Sequence, residues 1–312
     1  MNLSTIQGIL AEQHAADCNL YLLLDPLAGC ASTDPLHIDA LRHALGERAV
    51  TRLPRPDLAH SPQDCPALVT LASPGESPCT QRLRQLALRS QIDLVQPKRY
   101  VCSLLSSPEP AEIISAHILS LGHLPTEQGQ PFIPVYEPLR LELLAACVNH
   151  LKQGRWWPIR HWVFPTSSGT CSVLIGDPKH CFPPDPEAAS VQQDVILVSA
   201  LLSSWRQSLQ QPLTFAPTRW TGPTSLPASA AVQAYAHICL ARELGLHDHD
   251  DIRKLALHSL MLHPRVHEHA RVRALIGQAV REQTQLGALL APYTDRAWQR
   301  VVSDLTYSGA AR

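Results

Sequence analysis

Nowhere in these 312 residues is there a Walker-type loop, a Gly-x-Gly-x-x-Gly fingerprint, a Gly-x-Ser-x-Gly elbow or a Cys-x-x-Cys pair. The first two absences remove the usual cradles for nucleotide phosphates, and the third removes the strained turn on which hydrolase serines sit. There is no excess charge of either sign: 26 basic and 27 acidic side chains leave a formal net charge of −1. A protein that grips a phosphate backbone needs a clustered basic surface, so no nucleic-acid partner is expected. No apolar run approaches the roughly 18 residues that a bilayer span requires, so no membrane partner is expected either. The opening MNLSTIQGILAEQHAADC lacks a basic segment followed by an apolar one, which points to a cytoplasmic location.

Nine cysteines are present, an odd number at wide spacing, which fits neither a disulfide framework nor a zinc ribbon. Several lie in apolar runs, as Cys102 does in RYVCSLL, where a thiol serves as a small core side chain.

What the chain does have is alternation. NLYLLLD (19–25), PALVTLAS (66–73), KRYVCSLLSS (98–107) and QPFIPVYE (130–137) read as strands, and HWVFPTSSGTCSVLIG (161–176) as two more around a Ser-Ser-Gly turn. Between them DPLHIDALRHAL, CTQRLRQLALRS, the segment 108–124 and PLRLELLAACVNHLKQG have helical spacing. Pro134 places the fourth strand at an edge or a bulge. These features predict an α/β (α+β) N-terminal lobe, residues 15–180, with a mixed, partly parallel sheet. A Pro-rich linker with one helix (181–227) follows, and then a smaller all-helical C-terminal lobe (228–306) with Asp250 and Thr294 as caps.

Three places invite a chemical reading. At the Tyr136-Glu137-Pro138 corner, Glu137 has the character of a general base and Arg140 that of an anion clamp, but the sequence supplies no acid, nucleophile or metal ligand beside them. As a structural joint, Glu137 caps the next helix, Pro138 fills its first turn and Arg140 pairs with an acidic neighbour. Ser167-Ser168-Gly169-Thr170-Cys171 has the composition of a hairpin turn rather than of a nucleophile loop. The third is the segment 247–269, where His247, Asp248, His249, Asp250, Asp251, His263, His267 and His269 are potential zinc or iron ligands, so that a metal-dependent hydrolase is the alternative reading. Against it, the acidic residues fall where a helix start wants them, and Pro264 interrupts the spacing that would set His263 and His267 on one face.

The strand-corner-helix FIPVYEPLRLELL resembles the hallmark of the type VI secretion system effector adaptor/chaperone family, in which an aromatic-Asp-Pro-Arg strand end runs into a helix. LYLLLDPLAG, CPALVTLAS, KRYVCSLLSS with the helix after it, KLALHSLMLHPRVHEHARVRALIGQA and DRAWQRVV follow in the family's order. Glu137 stands where the family has Asp, and Leu139 intervenes before Arg140, as in a divergent member. The resemblance implies a cytoplasmic, non-catalytic protein without a cofactor, whose partners are an effector and the valine-glycine-repeat spike. Tyr136, Glu137, Pro138 and Arg140 are then candidate partner contacts. Trp156 and Trp157 join them, because two adjacent indoles cannot readily bury against one surface.

Overall fold

In the computed structural model the described residues are 4, 6–8, 10, 17–124, 132–147, 156–179, 186–210 and 224–309. The chain divides into two compact units, Met1–Gln193 and Asp194–Arg312.

The first unit is built on six strands: β1 (Asn19–Leu24), β2 (Val50–Arg52), β3 (Ala67–Ala72), β4 (Val101–Ser107), β5 (His161–Pro165) and β6 (Cys171–Ile175). Their order is β2-β3-β1-β4-β5-β6, and every neighbouring pair is antiparallel. The expected mixed, partly parallel sheet is therefore corrected to a fully antiparallel one. The physical reason is interleaving. β1 and β2 run in the same sense and are joined through helix α1 (Ile38–Leu45), but β3 lies between them. Likewise β3 and β4 share a sense and are joined through α2 (Thr80–Ile92), with β1 between them. Each crossover is the β-α-β unit that alternation announces, split by a strand of opposite sense. The two crossovers traverse the sheet in opposite directions from strands of opposite sense. The right-handed rule therefore puts both helices on one face. There Ile38, Leu41, Leu83, Leu86 and Ala87 bury against Leu20, Leu22, Leu24, Val69 and Leu104.

Residues of the other parity, among them Tyr21, Leu23, Leu68, Leu105, Trp162 and Phe164, are buried on the opposite face. Here α3 (Ala111–Leu121) lies against β2 and β3, and α4 (Pro138–Cys147) against β5. Central β1 and β4 are covered on both sides, which explains why they read as unbroken apolar runs rather than as alternating ones.

Over the described part of the strand predicted at 130–137, residues 132–137, no strand forms. Residues 130 and 131 lie outside the described residues, and beyond them only Phe132 bridges to His123. Ile133 donates to Gly122 O, Val135 to Ile133 O and Glu137 to Pro134 O, so the chain turns tightly into α4. Pro134 has no N–H to give a ladder. Gly122 is required by this approach: a Cβ there would stand 2.5 Å from the Phe132 ring and 2.7 Å from Ile133 O. The hairpin β5–β6 forms around Thr166–Thr170 as its turn residues imply.

Helix α5 (Pro186–Gln193) closes the first unit. The second contains α6 (Val195–Ser208), α7 (Ala230–Glu243), α8 (His249–Met261), α9 (Ala270–Glu282), α10 (Leu286–Leu290) and α11 (Asp295–Gly309). Helix α8 packs on α6 and α7. Arg242 near the end of α7 clasps Asp194 at the start of α6 through both carboxylate oxygens, at 2.5 and 2.6 Å. The side-chain cap of α8 is Asp248, which accepts from the amides of Asp250 and Asp251, whereas Asp250 sits in the first turn and pairs with Arg253.

Candidate functional site

The chain reversal after Phe132 brings Tyr136 and Glu137 against two loops far away in sequence. One follows β2, where Arg55 opens the single 3-10 turn Pro56–Leu58. The Arg55 side chain is buried and grips Asp57 by two bonds, Nε to Oδ1 at 3.1 Å and Nη2 to Oδ2 at 2.6 Å. Its Nη1 donates to the Tyr136 hydroxyl at 2.7 Å, and the guanidinium lies 5.4 Å from the Phe132 ring centre. Burial works against the Arg55 charge, but the hydrogen bond and field of Asp57 outweigh it, together with Tyr136, and its pKa lies above the ordinary value. The Tyr136 hydroxyl is pushed up in turn, by burial first and then by the Asp25 carboxyl. Every polar atom of this buried fork is thereby spoken for.

Glu137 faces outward from the same turn. Its Oε2 accepts from Arg140 Nε at 2.9 Å and its Oε1 lies 3.4 Å from Lys98 Nζ. Its main-chain oxygen accepts from Leu141, so Glu137 begins α4 through its backbone while its carboxylate goes to the two cations. Arg140 Nη1 reaches Gln192 O and Oε1 at 3.1 and 3.2 Å, and Gln192 Nε2 returns a bond to Arg140 O. One turn further, buried Glu142 accepts from the amide and the hydroxyl of Ser167, at 2.7 and 2.9 Å. Ser167 therefore anchors the β5–β6 turn to α4, and Thr166, Ser168 and Thr170 close the turn with their hydroxyls.

Asp25, which directly follows β1, belongs to this neighbourhood, and nothing in the sequence marks it beyond its place at the end of an apolar run. It is 1% exposed, and its Oδ1 accepts from Leu27 N–H at 3.0 Å. Burial pushes its carboxyl up to about 6, with the Leu27 bond and the charges of Lys98 and Arg55 opposing and Glu137 assisting. A carboxyl titrating there has the pKa of an acid–base catalyst. Its enclosure denies it a substrate, and its hydrogen bond gives it a turn to hold.

The pKa shift makes a testable statement about stability. The folded-state value lies above the unfolded one near 3.8, so the fold prefers the neutral acid. The associated stability is complete below about pH 4, is lost as pH rises to about 6, and stays lost above. A shift of about two units bounds the effect at roughly 3 kcal/mol. Asp25→Asn keeps the acceptor for Leu27, so urea denaturation is expected to show the variant gaining on the wild type steadily between pH 4 and 6. A variant that is less stable at pH 7 would mean instead that Lys98 and Arg55 hold Asp25 as a useful anion.

Of the six candidate contacts, the fold gathers Tyr136, Glu137, Pro138 and Arg140 into one joint, with Tyr136 and Pro138 buried. Trp156 is buried too, edge-on to Trp162 at 5.7 Å, and Trp157 is half-buried. Arg55, Lys98, Gln192 and Asp25 complete the joint. Their sequence separations from it exceed any local pattern, and only the aromatic-acid-Pro corner pointed to the place.

The residues of the alternative metal site are not brought together. Asp248 is occupied as a cap, Asp250 with Arg253, and His269 with Asp304 at 3.3 Å. His263 Nδ1 accepts from the Arg265 amide. Among the described residues no group of three or more His, Cys, Asp or Glu side chains is placed to hold a metal ion. Nor is any helix among them long and apolar enough to cross a membrane. No protein-family model, curated protein or solved structure matches the chain.

Proposed function

We propose that the protein is a non-catalytic adaptor/chaperone that binds a type VI secretion effector in the cytoplasm and helps load it onto the valine-glycine-repeat spike. The observation that carries this is the use to which the corner is put. Tyr136, Glu137 and Arg140, the side chains an active site would need, are committed to Arg55, to Lys98 and to Gln192. They join α4 to the loop after β2, to the loop before β4 and to α5. A joint of this kind stiffens a scaffold that presents surfaces to other proteins. The order of the resembling segments, an α+β unit followed by a helical one, supports the same conclusion.

Deleting the gene in its native host is the test. One toxin is expected to vanish from the secreted fraction while the tube and spike proteins are still exported. Undiminished export of every effector would refute the adaptor role.

A further inference from the structure

The two edges of the sheet are treated differently. At one, β2 is three residues long, ends in Arg52 and is followed by Pro54, and shortness, charge and proline are what keep an edge strand from pairing with another chain. At the other, β6 is five residues, Cys171-Ser172-Val173-Leu174-Ile175, without a charge, a proline or a register shift against β5.

The hairpin fixes where the outer backbone groups of β6 point. Thr166 N–H donates to Thr170 O and Gly176 N–H to Arg160 O, both at 2.9 Å. Hydrogen-bonded pairs recur at every second residue of an antiparallel ladder, so the even-numbered residues of β6 face β5. The N–H and C=O groups of Cys171, Val173 and Ile175 therefore point out of the sheet edge, and nothing among the described residues pairs with them. Ile175 is 47% exposed, and Cys171 and Val173 are partly covered by the core under α1 and α2. Donors and acceptors in a row at strand spacing match another extended chain.

The residues of the strand select which chain. A two-fold axis through Val173 pairs β6 antiparallel with itself. On one face Val173 then meets Val173 and Cys171 meets Ile175, and these are the residues whose backbone groups point outward. On the other face Ser172 meets Leu174. Carried past the strand ends, the same register sets Asp177 against Gly169, so no charge meets its like. The net charge of −1 adds no long-range repulsion between copies. We propose that β6 pairs with β6 of a second copy of the chain, in register about Val173, and joins the two sheets across a two-fold axis. Five residues a side are few beside the roughly 20–30 of a stable interface, so the dimer is weak and depends on concentration. This pairing does not depend on the adaptor role.

Sedimentation velocity of the full chain over a concentration series is expected to show monomer and dimer in exchange. Val173→Pro removes only an outward N–H, keeps the ladder to β5, and is expected to weaken the dimer about tenfold or more at an unchanged melting temperature. Should that variant fail to fold, Ile175→Cys decides. It places a thiol about 5.5 Å, Cα to Cα, from the partner's Cys171, within the roughly 4.4–6.8 Å that a disulfide spans. Mild oxidation is expected to give a covalent dimer with a 171–175 linkage identified by mass spectrometry, whereas Ser172→Cys, opposite Leu174, is expected to form no linkage at 172. A chain that stays monomeric throughout, or a dimer indifferent to Val173→Pro and without the 171–175 linkage, would overturn the proposal. So would amides 171, 173 and 175 whose exchange slows only when the toxin lost from the deletion strain's secreted fraction is added, which would assign the edge to an effector strand.

Discussion

Trp156→Ala is expected to cost about 3–5 kcal/mol of stability, as truncation of a fully enclosed indole does. Trp156 is 1% exposed and stands edge-to-face with Trp162, at an interplanar angle of 82°. Its carbonyl accepts from Ile159 N–H at 2.8 Å in the turn that feeds β5. The neighbouring main chain leaves no slack. A Cβ on Gly176, just after β6, would run into the Ile159 carbonyl and come within 2.8 Å of the Trp157 amide. Removal of so large a buried side chain leaves a cavity, and the cost rises with the part of it that the surroundings fail to fill. Chemical denaturation with equal slopes for the two proteins checks the figure, and the same experiment on Trp157→Ala is expected to show a much smaller loss. An unchanged midpoint for Trp156→Ala would mean that this side chain is not part of the core. One practical consequence concerns binding assays. Lost binding in Trp156→Ala reports lost folding, and a surface is mapped with Trp157 or with the exposed side chains of α2.

Arg55→Ala is expected to be of similar size, about 3–5 kcal/mol, because it breaks a buried ionic group from one side. Removal of the guanidinium strands the Tyr136 hydroxyl in the interior and frees Asp57, and the loop after β2 loses its hold on the α4 corner. Tyr136→Phe removes only one of Arg55's partners. It leaves Nη1 unpaired but Asp57 in place, and about 1–3 kcal/mol is expected. The double variant then separates the mutual contribution, with a coupling of about 0.5–3 kcal/mol for groups in direct contact. Additive losses would show that Arg55 and Tyr136 stabilise the fold independently, and the joint would be reduced to two adjacent features.

Local rules sufficed where the contacts are local. The hairpin 161–175 was legible because apolar runs flank Thr-Ser-Ser-Gly-Thr, and α4 because Pro138 starts it and Leu141 and Leu144 repeat on its buried side. The strands β1, β3 and β4 were visible as short apolar runs. Their pairing was not. Insertion of β1 between β3 and β4 depends on which strands meet across tens of residues, and alternation with helices is the same whether or not a strand splits the crossover. Three-residue β2 is too short to carry a period. At 130–137, β-branched and aromatic residues imitated a strand, and the competing fact was the close passage of Phe132 and Ile133 over Gly122.

The candidate site divides in the same way. Tyr136-Glu137-Pro138 marked the joint, and the pairing of Glu137 with Arg140 follows from i, i+3 spacing on a helix. The partner of Tyr136 is 81 residues away, and the burial that pushes Asp25 up to about 6 is a property of the folded layers alone. In the helical unit, His and Asp residues that resemble a ligand set in sequence are spread over a cap, a first turn and a hydrogen-bond contact with Asp304.

The most direct test of the adaptor role is to purify the tagged chain from its native host through a salt wash and identify, with stoichiometry, what remains bound. A type VI effector or a valine-glycine-repeat spike protein in near-equimolar amount is the expected result. Recovery of the chain alone would contradict an adaptor role and leave only the antiparallel α+β unit and its helical companion established.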